Sequence, residues 1–328
     1  MTFNPGKLRA KSMRQPKSTT LRMAMGVTPT YSRGREVIER FLRLSLSLSP
    51  SIPRPPLVIA AVVLLVSVGA NAQLVTGSIA VLQSAGDYIV ISADSKSFSQ
   101  QGVSYHRCKV VALDDQLVYA ATGYTSRGDT KGVRSPRAWD ASEIVKQEYR
   151  SLLKTPRHEH YRKLAEIYGT RLAARLNDPV KAHPEEGWPM LLAAAVFAGF
   201  DEKQQRVVIE VKVERKSDIG VSEVGFSTKI FPAGDAVFAL VIGETDVAQE
   251  FAAGRTFRSQ SWRNGLEVEV AGLGMKERLV AGAEKIVQLT AKYQPSLVGG
   301  PMDTVLVSRN MGVKWIRRKT ECAKGFGR

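Results

Sequence analysis

The rhythm of apolar and polar positions changes several times along this chain, and each change marks a predicted element. Ser78-Ile-Ala-Val-Leu82, a turn at Ala85-Gly86-Asp87 and Tyr88-Ile-Val-Ile-Ser-Ala-Asp94 predict a β-hairpin. Cys108-Lys-Val-Val-Ala-Leu113, a turn at Asp114-Asp115 and Gln116-Leu-Val-Tyr-Ala-Ala-Thr122 predict a second one, ending at Gly123. Residues 124–137 are polar, carry Gly128, Gly132 and Pro136, and read as a loop. The period then becomes helical. Asp140 is an N-cap candidate with Glu143 three residues on, the form of a capping box. Ile144, Glu148 and Leu152, beside Val145, Tyr149 and Leu153, keep the spacing of a helix. A second helix is predicted over about 158–176, on Leu164, Ile167, Tyr168, Leu172 and Leu176. Strands return over 190–200, 206–213, 224–231 and 236–242. Helices over 246–253 and 275–292 follow, and strands over 303–308 and 313–316 flank an Asn310-Met311-Gly312 turn.

Strands, helices, strands, helices, strands is not the βα alternation of a doubly wound parallel sheet. The order predicts an α+β single domain in which two antiparallel sheets are each covered on the outer side by helices. There is no internal repeat of solenoid period.

Ahead of this pattern lies a different kind of sequence. Residues 57–68 are almost wholly apolar and are followed by Gly69-Ala70-Asn71-Ala72-Gln73, with Ala70 and Ala72 forming an A-x-A site. Arg33, Arg35, Arg40, Arg43 and Arg54 lie upstream. Together they predict a secretory signal peptide cleaved after Ala72. Counted on through Ala70 the run is roughly 14 residues, shorter than the ~20 that a membrane-spanning helix needs. Residues 1–56 predict a disordered basic leader, with a Ser-Leu repeat over Leu44–Ser49 and prolines at 50, 53, 55 and 56. A later start at Met23 or Met25 would remove part of it. The expected organisation is thus leader 1–56, signal 57–72, domain 73–316 and basic tail 317–328, in a secreted or periplasmic protein that meets a membrane only during export.

Composition changes the picture in one respect. The chain has 328 residues, 44% apolar and 24% charged, which is ordinary for a globular protein, but a formal charge of +16. Residues 1–56 hold 11 Lys/Arg against 2 Asp/Glu, whereas residues 73–328 hold 36 against 29. Much of the excess belongs to the leader. With no Gly-rich phosphate loop, RNP-like aromatic motif or helix-turn-helix spacing, nucleic acid is not an expected partner. Cys108 and Cys322 belong to a chain predicted to be exported, where disulfides form; the sequence leaves open whether they pair or stay free.

Other candidate chemistry is thin. His158-Glu159-His160 puts two imidazoles two residues apart on a predicted helix start, where they diverge instead of sharing a ligand site. There is no His-Glu-x-x-His and no Gly-x-Ser-x-Gly elbow. No metal and no cofactor is expected. Trp139, Trp188, Trp262 and Trp315 are scattered and read as packing residues.

Several segments, taken in order, resemble proteasome β-subunits and the wider N-terminal-nucleophile hydrolases. Thr76-Gly-Ser-Ile-Ala-Val81 with Val90-Ile-Ser-Ala-Asp94-Ser95-Lys96 is similar to the family's opening, where a nucleophilic threonine starts a strand and the next strand ends in Ala-Asp-Ser-Arg. Cys108-Lys109-Val110-Val111 resembles its Lys-Lys-Val/Ile strand, and Ala120-Ala-Thr-Gly123 its Met-Ala-Gly turn. Val196-Phe-Ala-Gly-Phe-Asp201 resembles the central strand, and Val298-Gly-Gly-Pro-Met-Asp303 the Ser-Gly-Gly turn before the closing strands. The resemblance implies a four-layer αββα sandwich over about 76–316 and a peptide or amide substrate, and it allows a homo-oligomer.

It also implies roles. Thr76 is the nucleophile, whose own α-amine, titrating at ~7.7–8.0 when free, takes its proton. Lys109 is the ammonium that keeps the amine partly deprotonated, Asp94 its carboxylate partner, and the Gly123 N–H the oxyanion donor. Without the resemblance, Asp94 and Lys109 read equally well as a structural ion pair between hairpins, and Gly123 as any tight-turn glycine. Three positions depart from the family pattern: Val75 precedes Thr76 in place of glycine, Val298 replaces a supporting serine, and Gly243-Glu244-Thr245 replaces a Gly-Ser-Gly-Ser loop. Cleavage after Ala72 would leave Gln73-Leu74-Val75 ahead of Thr76. Two functions are therefore expected in competition. One is an exported amide hydrolase; the other is a catalytically silent binding or assembly module of the same fold.

Overall fold

The first predicted hairpin forms from strands β1 (Ile79–Ala85) and β2 (Tyr88–Ala93), in a register running from Ala80 opposite Ala93 to Ala85 opposite Tyr88. The structure is a computed structural model, which describes residues 78–98, 104–127, 139–182, 188–218, 221–233 and 237–323. The leader, the apolar run at 57–72 and Thr76 lie outside the described residues. Short strands β3 (Lys96–Phe98) and β4 (Ser104–His106) pair with each other, and the second predicted hairpin follows as β5 (Val110–Ala112) and β6 (Leu117–Gly123).

Strands β7 (Ser126–Arg127) and β8 (Trp139–Asp140) lead into helix α1 (Ala141–Ser151). Asp140 caps α1 by accepting from the Ser142 N–H, while Glu143 pairs with Lys146 on the helix surface and leaves the capping box half made. Helix α2 (Arg157–Ala182) runs six residues past the predicted end, through Pro179. The extension buries Val180 in the core, which offsets the hydrogen bond that proline removes. Strands β9 (Leu191–Phe200), β10 (Arg206–Asp218), β11 (Val221–Phe231) and β12 (Phe238–Gly243) come next. Helices α3 (Asp246–Ala253), α4 (Phe257–Glu269) and α5 (Met275–Tyr293) follow. Strands β13 (Asp303–Ser308) and β14 (Gly312–Arg317) and a short helix α6 (Thr320–Ala323) complete the described chain. Helix α4 is an addition to the predicted set.

Two five-stranded antiparallel sheets result, ordered β12-β1-β2-β13-β14 and β11-β10-β9-β6-β5. Side chains alternate across each strand, and both faces of the central strands are buried. Ala80, Leu82, Ile89 and Ile91 from one sheet meet Val118, Ala120, Val196 and Ala198 from the other in the layer between them. The opposite face of the first sheet carries Ile79, Val81 and Val90 against Leu279, Ala283 and Ile286 of α5. The opposite face of the second carries Tyr119 and Phe197 against Leu164, Tyr168 and Leu172 of α2, where the Tyr119 and Tyr168 hydroxyls lie 2.7 Å apart. Helix, sheet, sheet, helix is the predicted αββα sandwich, an α+β fold. Burial on both faces explains why these strands read as continuous apolar runs.

The described part of the predicted basic tail is tied down. Cys322 is bonded to Cys108, which decides the pairing that the sequence left open, and Lys319 is buried.

Candidate active site

One carboxylate gathers four segments at the end of β2. Asp94 Oδ1 accepts the Ile79 N–H at 2.9 Å and the Lys109 Nζ–H at 2.6 Å. Its Oδ2 accepts the N–H groups of Lys96 and Gly299, each at 3.1 Å. The start of β1, the start of β3, the turn before β13 and the lead into β5 therefore converge on one side chain, which is 1% exposed. A carboxylate fits this position because it accepts at both oxygens and never competes as a donor.

Lys109, 5% exposed, also donates to the Lys96 carbonyl at 2.5 Å. Burial pushes its ammonium down to about 8, against the attraction of Asp94; the charges of Lys319 and Arg107 push the same way. A larger share of Lys109 is then neutral near pH 7 than of an exposed lysine.

Gly123 ends β6 with φ at +87°, and a Cβ there would lie 2.5 Å from the Leu192 carbonyl oxygen. Its N–H points to the Ser78 hydroxyl at 3.3 Å. Ser78 is pinned in turn, its carbonyl accepting the Glu244 N–H at 2.7 Å. Gly243, at φ +90°, passes so close that a Cβ would lie 2.0 Å from that carbonyl oxygen. Ser78 was not singled out by the sequence, and its place two residues after Thr76 was the available signal. Asp94 and Lys109 are thus brought together directly, Gly123 stands at the head of the same strand start through Ser78, and Thr76 lies outside the described residues.

A second buried ion pair adjoins the first. Asp303 opens β13 opposite Ala93, the neighbour of Asp94, and its Oδ2 lies 2.8 Å from Lys319 Nζ. Lys319 also donates to the Arg107 carbonyl at 2.6 Å, two residues before Lys109. Nothing in the sequence pattern marked Lys319, since the pair is made by the return of the chain after β14.

Elsewhere, Glu159 is exposed but His160 is buried and stacked on Tyr149, with ring centres 4.7 Å apart. The side chain of His158 lies outside the described residues. Among the described residues no group of three or more His, Cys, Asp or Glu side chains could hold a metal ion, and no helix is long and apolar enough to cross a membrane. Trp188 and Trp262 are buried, and Trp139 and Trp315 pack against core clusters.

No family model matches the chain, and no curated protein matches its sequence. Among solved structures, the chain is similar to Anbu (ancestral beta-subunit) from Yersinia bercovieri, with a TM-score of 0.42 and 10% sequence identity, over 74% of this chain and 88% of that one.

Proposed function

We propose that the protein is an exported amide-bond hydrolase in which Thr76, once freed as an N-terminus, is the nucleophile. The observation that carries this reading is the buried Asp94–Lys109 pair bonded to the backbone of Ile79, three residues downstream of Thr76. Ion pairs taken out of water gain little stability over apolar residues of the same size, so a pair of this kind invites a chemical role.

In this reading the Thr76 hydroxyl attacks the substrate carbonyl while its α-amine takes the proton. The Lys109 ammonium, oriented by Asp94 and the Lys96 carbonyl, holds the amine near neutrality and stabilises the alkoxide. The carbonyl oxygen, negative in the tetrahedral adduct, takes the Gly123 N–H in place of the Ser78 hydroxyl. The protonated α-amine returns its proton to the leaving amine, and water then releases the acyl group from Thr76. The Cys108–Cys322 disulfide supports an oxidising compartment, in keeping with the predicted signal peptide.

Particular observations favour a silent binding module instead. Val298, where the resembling family has serine, is fully buried in an apolar cluster and offers no hydroxyl. Val75 stands where self-cleaving members of the resembling family have glycine, and the Gly123 N–H is already engaged. The experiment is N-terminal sequencing of the secreted protein, followed by a broad amide panel on a chain beginning at residue 76, with Thr76→Ser and Thr76→Ala beside it. An N-terminus at Thr76, with activity kept in part by serine and lost with alanine, is expected. Equal inertness of all three sinks the hydrolase and leaves the silent module.

A further inference from the structure

The three residues 107–109 that deliver Lys109 have few strand hydrogen bonds of their own. Arg107 N–H reaches the Ser95 carbonyl at 2.8 Å, and the Lys109 carbonyl accepts from Ala121 at 3.1 Å. Beyond these and the side-chain bonds of Lys109 to Asp94 and of Arg107 to Asp140, further support comes from the segment after β14. Lys319 Nζ holds the Arg107 carbonyl, and Cys322 is bonded to Cys108, the residue beside Lys109. Lys319 is itself fixed by Asp303, through its ammonium at 2.8 Å and its N–H at 2.9 Å. Asp94, Lys109, Asp303 and Lys319 are all buried, so two carboxylates and two ammonium groups share one poorly solvated end of the sheets.

We infer that Lys319 is a positioning residue for Lys109, held beside it by Asp303 and the Cys108–Cys322 disulfide, so that thiol reduction changes the charge state in which Lys109 works. The inference rests on the reading of Lys109 as part of an amide-hydrolysing site, but its consequence can be read without turnover. A tether that only braced the chain end would leave the titration of Lys109 alone. Burial is the main cause of the lowered Lys109 pKa, and the buried like charge of Lys319 adds to it in the same direction. The charged groups facing Lys109 are Asp94 from the end of β2, Lys319 with its partner Asp303 from the closing segment, and Arg107 from its own lead-in. Arg107 is in turn paired with Asp140. Loss or displacement of Lys319 removes one opposing charge, which pushes Lys109 toward its charged form.

The test is a pH titration of the Lys109 side-chain nitrogen by NMR in the mature, disulfide-bonded protein, with Lys109→Gln identifying the resonance. Three further samples are Lys319→Met, Lys319→Arg and the double variant Cys108→Ser/Cys322→Ser. In Lys319→Met and Cys108→Ser/Cys322→Ser, the ratio of charged to neutral Lys109 at pH 8 should rise about threefold or more, threefold being the least that removal of one nearby like charge gives even under water-like screening. Lys319→Arg should match the unaltered protein. Should Lys319→Met fail to fold, Cys108→Ser/Cys322→Ser decides alone, since it opens the disulfide, keeps Lys319 and Asp303 and leaves no thiol to ionise beside Lys109. Unchanged titration in the folded variants overturns the inference. If the unaltered protein is inert toward amides and the titration still moves, the positioning role stands and the hydrolase reading falls.

Discussion

Removing either partner of the Asp94–Lys109 pair should damage the protein unequally, and the hydrogen bonds say which way. In Lys109→Met, Asp94 loses its ionic partner but keeps the N–H groups of Ile79, Lys96 and Gly299. Breaking a buried pair costs ~3–5 kcal/mol, and three surviving donors place this case at the lower end, about 3 kcal/mol. In Asp94→Ala the attraction that opposes burial is gone, so Lys109 is pushed lower still and sheds its proton more readily, which makes its isolation cheap. The backbone carries the larger loss. Lys96 N–H retains the Gly299 carbonyl at 3.0 Å, but those of Ile79 and Gly299 lose the carboxylate that holds them. Each orphaned amide costs about 1–3 kcal/mol, and each lost bond to a charged acceptor about 1.5–3. Asp94→Ala should therefore cost about 5 kcal/mol or more, enough to consume much of a typical domain's stability. Urea unfolding followed by circular dichroism at pH 7, with the double variant closing the cycle, measures both costs and their coupling. If Asp94→Ala proves no worse than Lys109→Met, the carboxylate is only an ion-pair partner, and the account of it as the knot of four segments is wrong.

Two further outcomes follow from groups already described. Lys109 titrates near 8 in the folded protein and near 10.5 unfolded, so between those values the unfolded chain binds more protons and stability rises with pH, by about 2 kcal/mol from pH 8 to 10. Above pH 10 the sign reverses, because burial holds the Tyr119 and Tyr168 phenols protonated in the folded state only; unfolding midpoints at pH 7, 8.5, 10 and 11 should pass through a maximum, and the early rise should vanish in Lys109→Met. Gly243→Ala should cost about 3 kcal/mol or more, since φ +90° is strained for alanine and its Cβ meets the Ser78 carbonyl, whereas Gly86→Ala, with no atom within 4 Å, should cost about 1; equal thermal shifts for the two would refute the close approach.

The order of elements was legible because burial on both faces writes itself as apolar runs, and amphipathic helices write a period. Helix α4 escaped because only Ser259, Trp262 and Leu266 turn inward, and Phe257 and Val268 are exposed, so no apolar stripe forms. The end of α2 was misplaced because Pro179 and Asn177 signal a stop that the burial of Val180 overrides. Asp94 and Lys109 could be named from resemblance, since both stand at strand ends inside recognisable segments. Asp303–Lys319 and Cys108–Cys322 could not, as pairing across a returning chain leaves no periodic trace in either partner's neighbourhood.

The bond between Cys108 and Cys322 joins residues 214 positions apart and makes a covalent ring of nearly everything from β5 to α6. A protease that cuts once anywhere inside that ring, at the Asp201–Gln205 turn for example, leaves a single covalent molecule that falls into two pieces on a gel only after reduction. The hairpin of β1 and β2 stands outside the ring, although it fills the centre of a sheet whose flanking strands, β12 and β13, both belong to it. One cut between residues 93 and 108 would therefore leave the hairpin, and with it Ser78 and the strand that follows Thr76, attached by noncovalent contacts alone. The segment that leads into the candidate site is thus the part of the fold that proteolysis can detach, while the rest stays stapled.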